Sequence, residues 1–139
     1  MTPRCVLLAD DHSNMLDAVR RLLEGRFATT VMVADERSLL EAITRMEPDL
    51  VVVDLSLPVS GGVNIVRRLG SRCPGLKVIV LSVHHEQPAI AQALGAGAAG
   101  FVLKRTAAMD LVPAVDAVLR GETYVCPGLN WPPKLEGDD

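Results

Sequence analysis

Five short apolar runs, each followed by a segment with helical periodicity, constrain the fold of this chain more than any other feature. The runs occupy residues 6–9, 31–33, 50–53, 78–81 and 101–103. They are rich in β-branched residues, continuous rather than alternating, and bounded by polar residues or glycine. Strands that are buried on both faces of a parallel sheet have this composition.

The intervening segments carry apolar residues at helical spacing. The stripes lie within residues 15–23, 39–46, 63–69, 90–94 and 111–119; Ser13 is the predicted N-cap of the first, and Pro48 stops the second. Regular alternation of strand and helix predicts an α/β domain with a parallel sheet and helices on both faces. With five strands, the predicted fold is a flavodoxin-like, doubly wound (βα)5 sheet in the order 2-1-3-4-5.

Composition narrows the class of protein. A length of 139 residues fits one domain, and the net charge of −3 with 3% aromatic residues argues against nucleic-acid binding by this chain itself. No apolar run approaches the roughly 20 residues that span a bilayer. The odd number and wide spacing of the three cysteines argue against a disulfide framework. We therefore expect a cytoplasmic protein that does not bind membranes.

Polar side chains follow four of the five predicted strands. The first strand ends in Asp10 and Asp11, the third in Asp54, the fourth in Ser82 and the fifth in Lys104. Each residue alone has an ordinary explanation, such as a helix-terminal acid, a turn residue, a capping hydroxyl or a surface lysine. Ligand sites in open α/β sheets form outside the carboxyl ends of the strands, so their joint placement predicts a site.

The chemistry of this set points to phosphoryl transfer. Carboxylates within 4–5 Å of one another repel by about 3–4 kcal/mol at an effective dielectric constant near 20, so the cluster favours a cation. All-oxygen ligands suit Mg²⁺, which keeps open positions for phosphate oxygens. Lys104 and Ser82 can bind further phosphate oxygens, and a carboxylate among them is a nucleophile able to form an acyl phosphate.

Four motifs in order resemble the receiver domain of two-component response regulators. They are VLLADDH (6–12), VVVDLSLP followed by VSGG (51–62), VIVLSVHHE (78–86) and AGAAGFVLKRTA (96–107). The resemblance implies that Asp54 is the phosphoacceptor and that Mg²⁺ is bound by Asp10, Asp11, Asp54 and the main-chain carbonyl of Ser56. It further implies that Ser82 is the switch hydroxyl, Phe101 the switch aromatic and Lys104 the phosphate-pairing lysine.

The resemblance also implies partners. A histidine kinase or phosphotransfer protein would donate the phosphoryl group, and the domain would catalyse its own phosphorylation and dephosphorylation rather than act as a classical enzyme. A homodimer of the phosphorylated form is a further candidate. The segments SVHHE (82–86), GAGAAGFVLKRTA (95–107) and GETYVCP (121–127) most resemble receivers of LuxR-type transcriptional regulators, which bind DNA through an output domain. We expect a receiver domain over residues 1–121 and a partly disordered, proline-rich acidic tail over 122–139, with the output domain either truncated or naturally missing.

Three residues depart from the family pattern. Arg105 follows the lysine where many receivers have a proline with a cis peptide bond, Val83 is bulkier than the usual residue after the switch hydroxyl, and His84 lies at a position thought to influence dephosphorylation. These departures leave open an alternative function, a receiver-like interaction module that works without phosphorylation.

Rival motifs have weaker support. Residues 95–100 spell GxGxxG, but a helical pattern precedes them and a strand follows, which is the reverse of a dinucleotide-binding context. The histidines His12, His84 and His85 lack the tight spacing of metal ligands, which disfavours a two-metal hydrolase, and we interpret them as loop residues near water. A haloacid-dehalogenase-like phosphatase would need an acid at position 56, which is serine. A flavodoxin-like FMN-binding protein is disfavoured because the acidic pair after the first strand would repel the FMN phosphate.

Overall fold

A computed structural model describes residues 5–57, 65–129 and 131–132 of the chain. Its strands are β1 (Cys5–Ala9), β2 (Thr29–Val33), β3 (Leu50–Asp54), β4 (Lys77–Ser82), β5 (Gly100–Leu103) and β6 (Tyr124–Val125). Its helices are α1 (Ser13–Leu22), α2 (Glu36–Met46), α3 (Ile65–Arg72), α4 (Gln87–Gly95) and α5 (Ala107–Leu119), with a short 3-10 helix at Lys104–Thr106. Val63 and the VSGG segment, which the sequence analysis used, lie outside the described residues, as does the acidic end of the tail.

The strands form one parallel sheet in the order β2-β1-β3-β4-β5-β6. The predicted flavodoxin-like fold and the order 2-1-3-4-5 are therefore confirmed. The predicted number of five strands needs a correction, because β6 extends the sheet beyond β5. This strand satisfies backbone groups that would otherwise be unpaired at the edge of β5, since the N–H groups of Tyr124 and Cys126 donate to the carbonyls of Ala99 and Phe101.

Burial explains why the apolar runs are continuous. Every residue of β1, β3 and β5 is buried, since helices cover both faces of these central strands. The edge strand β2 is different, with Thr29 and Met32 exposed. The sheet and the inward stripes of the helices share one apolar core, which holds the loops at the carboxyl ends of β1, β3, β4 and β5 side by side.

The observed helix ends agree only in part with the ends predicted from the sequence. Ser13 is the first residue of α1 rather than its N-cap; His12 takes the N-cap position and its side chain makes no capping bond. The helix α2 ends at Met46, followed by Glu47 in the left-handed conformation (φ 47°) and then by Pro48. No helix among the described residues is both long and apolar enough to span a membrane.

Asp35 caps α2, and this cap makes the stability of the folded chain depend on pH. Its carboxylate accepts a 2.7 Å hydrogen bond from the N–H of Ser38, and this bond lowers the pKa of Asp35. Because the pKa is lower in the folded state, the stabilisation is present above the unfolded pKa and is lost as the pH falls through the folded value. We expect Asp35→Ala to lower the free energy of unfolding by more at pH 7 than at pH 2, as measured by urea unfolding.

Asp35→Asn is the matched control, because asparagine caps helices about as well as aspartate and does not titrate. It should keep most of the stability at pH 7 and show no cap-dependent loss on acidification. If the free energies of unfolding of wild type and Asp35→Ala differed by the same amount at both pH values, the pH-dependent role of Asp35 would be wrong.

Candidate functional site

The carboxyl ends of three strands bring an acid pair and a lysine together. Asp10 directly follows β1, Asp54 is the last residue of β3, and Lys104 directly follows β5. Asp10 and Asp54 are 3% and 1% exposed in a core that is otherwise almost entirely apolar. Because buried charges are costly unless they are paired, this arrangement needs compensating positive charge or a metal ion.

Lys104 supplies part of that charge to Asp54. Its Nζ donates to Oδ2 of Asp54 at 2.7 Å and lies 3.5 Å from Oδ2 of Asp10. Burial is the largest single influence and by itself would raise the pKa of Asp54 and lower that of Lys104. It is outweighed by the hydrogen bond between them together with the bonds from Ser56 to Asp54 and the charge of Asp10 beside Lys104, so the pKa of Asp54 is lowered and that of Lys104 raised. Asp54 is therefore an anion at neutral pH.

Ser56 holds the same carboxylate from the other side. Its N–H donates to Oδ1 of Asp54 at 3.0 Å, and its hydroxyl lies 2.9 Å from both carboxylate oxygens. These bonds also lower the pKa of Asp54. The carboxylate is thus fixed in orientation before any ligand binds, which favours a nucleophilic role over that of a mobile surface acid.

The acidic residues form a cluster suited to a hard cation. One ligand atom each from Asp10, Asp11, His12 and Asp54 can be chosen so that all lie within 4.8 Å of one another. Oδ2 of the buried Asp10 has no hydrogen-bond partner among the described residues. Carboxylate oxygens, one of them buried without a hydrogen bond, fit Mg²⁺, which prefers oxygen ligands.

His12 lies closer to this cluster than the sequence analysis expected. Its ring is largely exposed, as a loop residue would be, but Nδ1 lies 2.9 Å from Asp10, 3.0 Å from Asp11 and 3.6 Å from Asp54. The hydrogen bond to Asp10 and the negative charges of Asp11 and Asp10 raise the pKa of His12. Adjacency to two strand-end acids was the available signal, but spacing alone does not show where a side chain points.

Ser82 and Phe101 are both buried, and among the described residues Ser82 forms no hydrogen bond with Asp10 or Asp54. The buried hydroxyl of Ser82 bonds to its own loop, accepting from the N–H of His84 at 2.9 Å and lying 3.2 Å from the His84 carbonyl oxygen. Phe101 is fully buried in β5. The structure therefore joins Asp10, Asp54 and Lys104 by direct contacts and leaves Ser82 facing the loop after β4.

The residues that depart from the family pattern also have defined surroundings. Val83 is 65% exposed on the loop after β4, next to Ser82. Arg105 lies within the 3-10 helix that follows β5, and its peptide bond with Lys104 is trans. Among the described residues, neither Val83 nor Arg105 forms a hydrogen bond or an ion pair with Asp54.

Comparisons with known proteins agree with this geometry. A family model for the response regulator receiver domain matches residues 6–116. The chain is 32% identical over 124 residues to the transcriptional regulatory protein DegU of Brevibacillus brevis and 34% identical over 124 residues to the response regulator UvrY of Escherichia coli K12. These matches cover 88% and 86% of this chain but 52% and 56% of the relatives. The chain thus spans about half the length of the curated relatives it matches.

Solved structures show the same fold. A LuxR-family two-component response regulator from Aurantimonas sp. SI85-9A1 aligns with a TM-score of 0.84 and 29% identity, and the match covers 93% of both chains. The response regulator RcsB of Salmonella typhimurium, solved in a study of its interaction with DNA, aligns with a TM-score of 0.84 and 25% identity over 94% of this chain and 66% of that one.

Proposed function

Since this chain belongs to the family of response regulator receiver domains, we propose that it accepts a phosphoryl group on Asp54 and passes that signal on as part of a two-component system. The donor is a histidine kinase or a phosphotransfer protein. A carboxylate oxygen of Asp54 attacks phosphorus, the bond between phosphorus and the donor atom breaks, and an acyl phosphate forms on Asp54.

The observation that carries this proposal is the state of the Asp54 carboxylate. It is buried, ionised and held between Lys104 and Ser56, with an acidic pair beside it. If Asp54 were only a structural aspartate in an ion pair, that role would explain its contact with Lys104 and nothing more. It would not account for a second buried carboxylate, Asp10, whose Oδ2 has the 3.5 Å ion pair with the same lysine but no hydrogen-bond partner among the described residues.

Receiver domains bind Mg²⁺, and the acidic cluster of this chain fits that ion. We assign Asp10, Asp11, Asp54 and the main-chain carbonyl of Ser56 as the residues that would hold it, with Asp11 a direct ligand. When bound, the ion neutralises charge on the phosphoryl oxygens. Lys104, which already contacts both buried carboxylates, provides the second positive charge and binds a phosphoryl oxygen once Asp54 is modified.

Phosphorylation then changes the surroundings of Ser82. In the structure its hydroxyl bonds to the backbone of His84, so it must break these bonds to reach a phosphoryl group on Asp54. That movement vacates space beside β4. Phe101 is already fully buried, so its response is a change of packing within the core rather than a rotation from the surface. We assign Ser82 and Phe101 as the switch, and we place the resulting change in the region of α4 and β5, the candidate surface for a homodimer or an effector.

The rest of the assignment follows the relatives. We propose a cytoplasmic protein whose receiver domain comprises residues 1–121, with β6 of the following segment, 122–139, adding the last strand of its sheet. Transcriptional regulation would require DNA binding through an output domain that lies outside these residues. The relatives DegU and UvrY, of which this chain matches about half, support such an arrangement.

The test is incubation with acetyl phosphate and Mg²⁺, read by intact mass and by peptide mapping. We expect one phosphoryl group, on the peptide that contains Asp54, and none when a chelator removes Mg²⁺. If no adduct forms, binding of beryllofluoride, a stable phosphoryl mimic, distinguishes rapid self-dephosphorylation from an inert site. Failure of both would favour the interaction module that works without phosphorylation.

Lys104→Ala tests the second positive charge. A charge-assisted hydrogen bond contributes about 1.5–3 kcal/mol, so its loss should slow phosphoryl uptake roughly 10- to 100-fold. Quenched time points analysed by mass measure this rate. Lys77→Ala is the matched control, because Lys77 is half-buried at the opposite end of β4 and donates to the Leu119 carbonyl. Equal slowing in both variants would remove Lys104 from the mechanism.

A further inference from the structure

The chain beyond α5 returns to the sheet beside the candidate site. The N–H of Tyr124 donates to the Ala99 carbonyl at 2.9 Å, and the N–H of Cys126 donates to the Phe101 carbonyl at 3.1 Å. These bonds pair β6 with β5 so that Val125 lies opposite Phe101. The segment predicted to be the start of an irregular tail is thus hydrogen-bonded to Ala99 and to the proposed switch aromatic, Phe101.

Cys126 extends this contact to the residues that flank Lys104. Its buried Sγ accepts a hydrogen bond from the N–H of Leu103 at 3.2 Å and lies 3.9 Å from the hydroxyl of Thr106. Leu103 precedes Lys104, and Thr106 closes the 3-10 helix that begins with it. Since the N–H of Leu103 is buried, replacing its acceptor with an apolar group would leave a donor unsatisfied.

The same backbone position is also next to Ser82 in the sheet. Leu103 of β5 is the register partner of Ser82 at the end of β4, and Cys126, directly after β6, accepts a hydrogen bond from Leu103. A displacement of the loop after β4, or of the 3-10 helix that carries Lys104, therefore acts directly on the bond to Cys126.

The C-terminal segment is anchored well enough to respond as a unit. Tyr124 donates from its hydroxyl to Asp110 of α5 at 3.3 Å, and Leu129 and Trp131 pack partly buried against the core. Burial, with a further contribution from the charge of Asp110, raises the pKa of the Tyr124 hydroxyl to about 12. The hydroxyl therefore remains a hydrogen-bond donor throughout the physiological range.

We propose that Cys126 is a positioning residue for Lys104 and that, through it, strand β6 couples phosphorylation of Asp54 to the chain that follows α5. This inference rests on the proposed function. Coupling between two sites is reciprocal, so binding at Asp54 changes the protection of β6, and loss of the Cys126 acceptor weakens binding at Asp54. The chain after residue 126 therefore responds to phosphorylation of Asp54 without contacting the site.

The test uses the full 139-residue chain and three variants. Cys126→Ala removes the acceptor for the N–H of Leu103, whereas Cys126→Ser retains an acceptor of similar size. Tyr124→Phe is a control on the same strand, because it loses the bond to Asp110 but keeps the thiol. Each is titrated with beryllofluoride in the presence of Mg²⁺, and thermal unfolding shows which variants are folded at the temperature of the assay.

Wild type is also labelled with a thiol-alkylating reagent, and modification of each cysteine is followed by mass. Cys5, buried in β1, reports global opening, and Cys73, partly exposed directly after α3, reports the reagent's reactivity towards an accessible thiol. Beryllofluoride should change the labelling rate of Cys126 about fivefold or more and leave that of Cys5 unchanged. Cys126→Ala should bind beryllofluoride at least about fivefold more weakly than wild type, while Cys126→Ser and Tyr124→Phe stay within about twofold.

The outcomes separate this inference from the function on which it rests. If wild type binds beryllofluoride but the labelling of Cys126 is unaffected and a folded Cys126→Ala variant binds equally well, the coupling is wrong and the proposed function stands. Equal weakening in Cys126→Ala and Cys126→Ser also overturns the coupling, since the serine retains the acceptor. If wild type neither binds beryllofluoride nor forms an adduct, both are overturned.

Discussion

Asp54→Asn should take up no phosphoryl group from acetyl phosphate under conditions in which the wild type is fully modified. The substitution removes the anionic nucleophile and leaves a neutral amide of the same size. In the wild type, hydrogen bonds from Lys104 and Ser56 outweigh burial and hold the pKa of Asp54 below its ordinary value. Uptake should therefore persist to mildly acidic pH and fail only as Asp54 becomes protonated. Intact mass at several pH values measures both effects.

The fold should survive this substitution. Lys104 lies 3.5 Å from Asp10 as well as 2.7 Å from Asp54, so its ammonium keeps a carboxylate partner when Asp54 becomes neutral. Asp17→Asn is the matched control, because Asp17 is an exposed acid of α1 on the same chain. An adduct on a folded Asp54→Asn variant would show that another residue accepts the group.

The sheet could be predicted from the sequence because its central strands are buried on both faces. Such strands require continuous apolar runs, and residues 6–9 and 50–53 satisfy that requirement whatever the rest of the chain does. Strand β6 could not be predicted in this way. It has two residues, it is half-exposed, and it exists because the edge of β5 offers carbonyls to the N–H groups of Tyr124 and Cys126. That information lies in the folded sheet rather than in local composition.

The candidate site divides in a similar way. The direct contacts of Asp54 with Lys104 follow from parallel topology, which brings the carboxyl ends of β3 and β5 to one edge of the sheet. The contacts of His12 and Cys126 depend on rotamers and on the path of a loop. A histidine after two acids, or a cysteine in an apolar stretch, has several common arrangements, and tertiary packing selects among them.

Mg²⁺ should stabilise the folded chain, and Asp11→Asn should remove about half of that effect or more. The cluster of Asp10, Asp11 and Asp54 lies within one ion's reach and is neutralised only in part by Lys104. An ion that binds only the folded state adds about 2.7 kcal/mol to the free energy of unfolding at 100 times its Kd. Urea unfolding with Mg²⁺ or with a chelator measures this increase in wild type.

Asp11 is the informative position because it is exposed, whereas Asp10 and Asp54 are buried. Asparagine at position 11 therefore removes one negative ligand with little effect on the core. We expect the Mg²⁺ affinity to fall at least about 10-fold, and phosphoryl uptake at limiting Mg²⁺ to fall with it. Asp17→Asn lowers the net negative charge by the same amount and should change neither quantity. If both variants lose affinity equally, Mg²⁺ responds to the general charge of the surface and Asp11 is not a ligand.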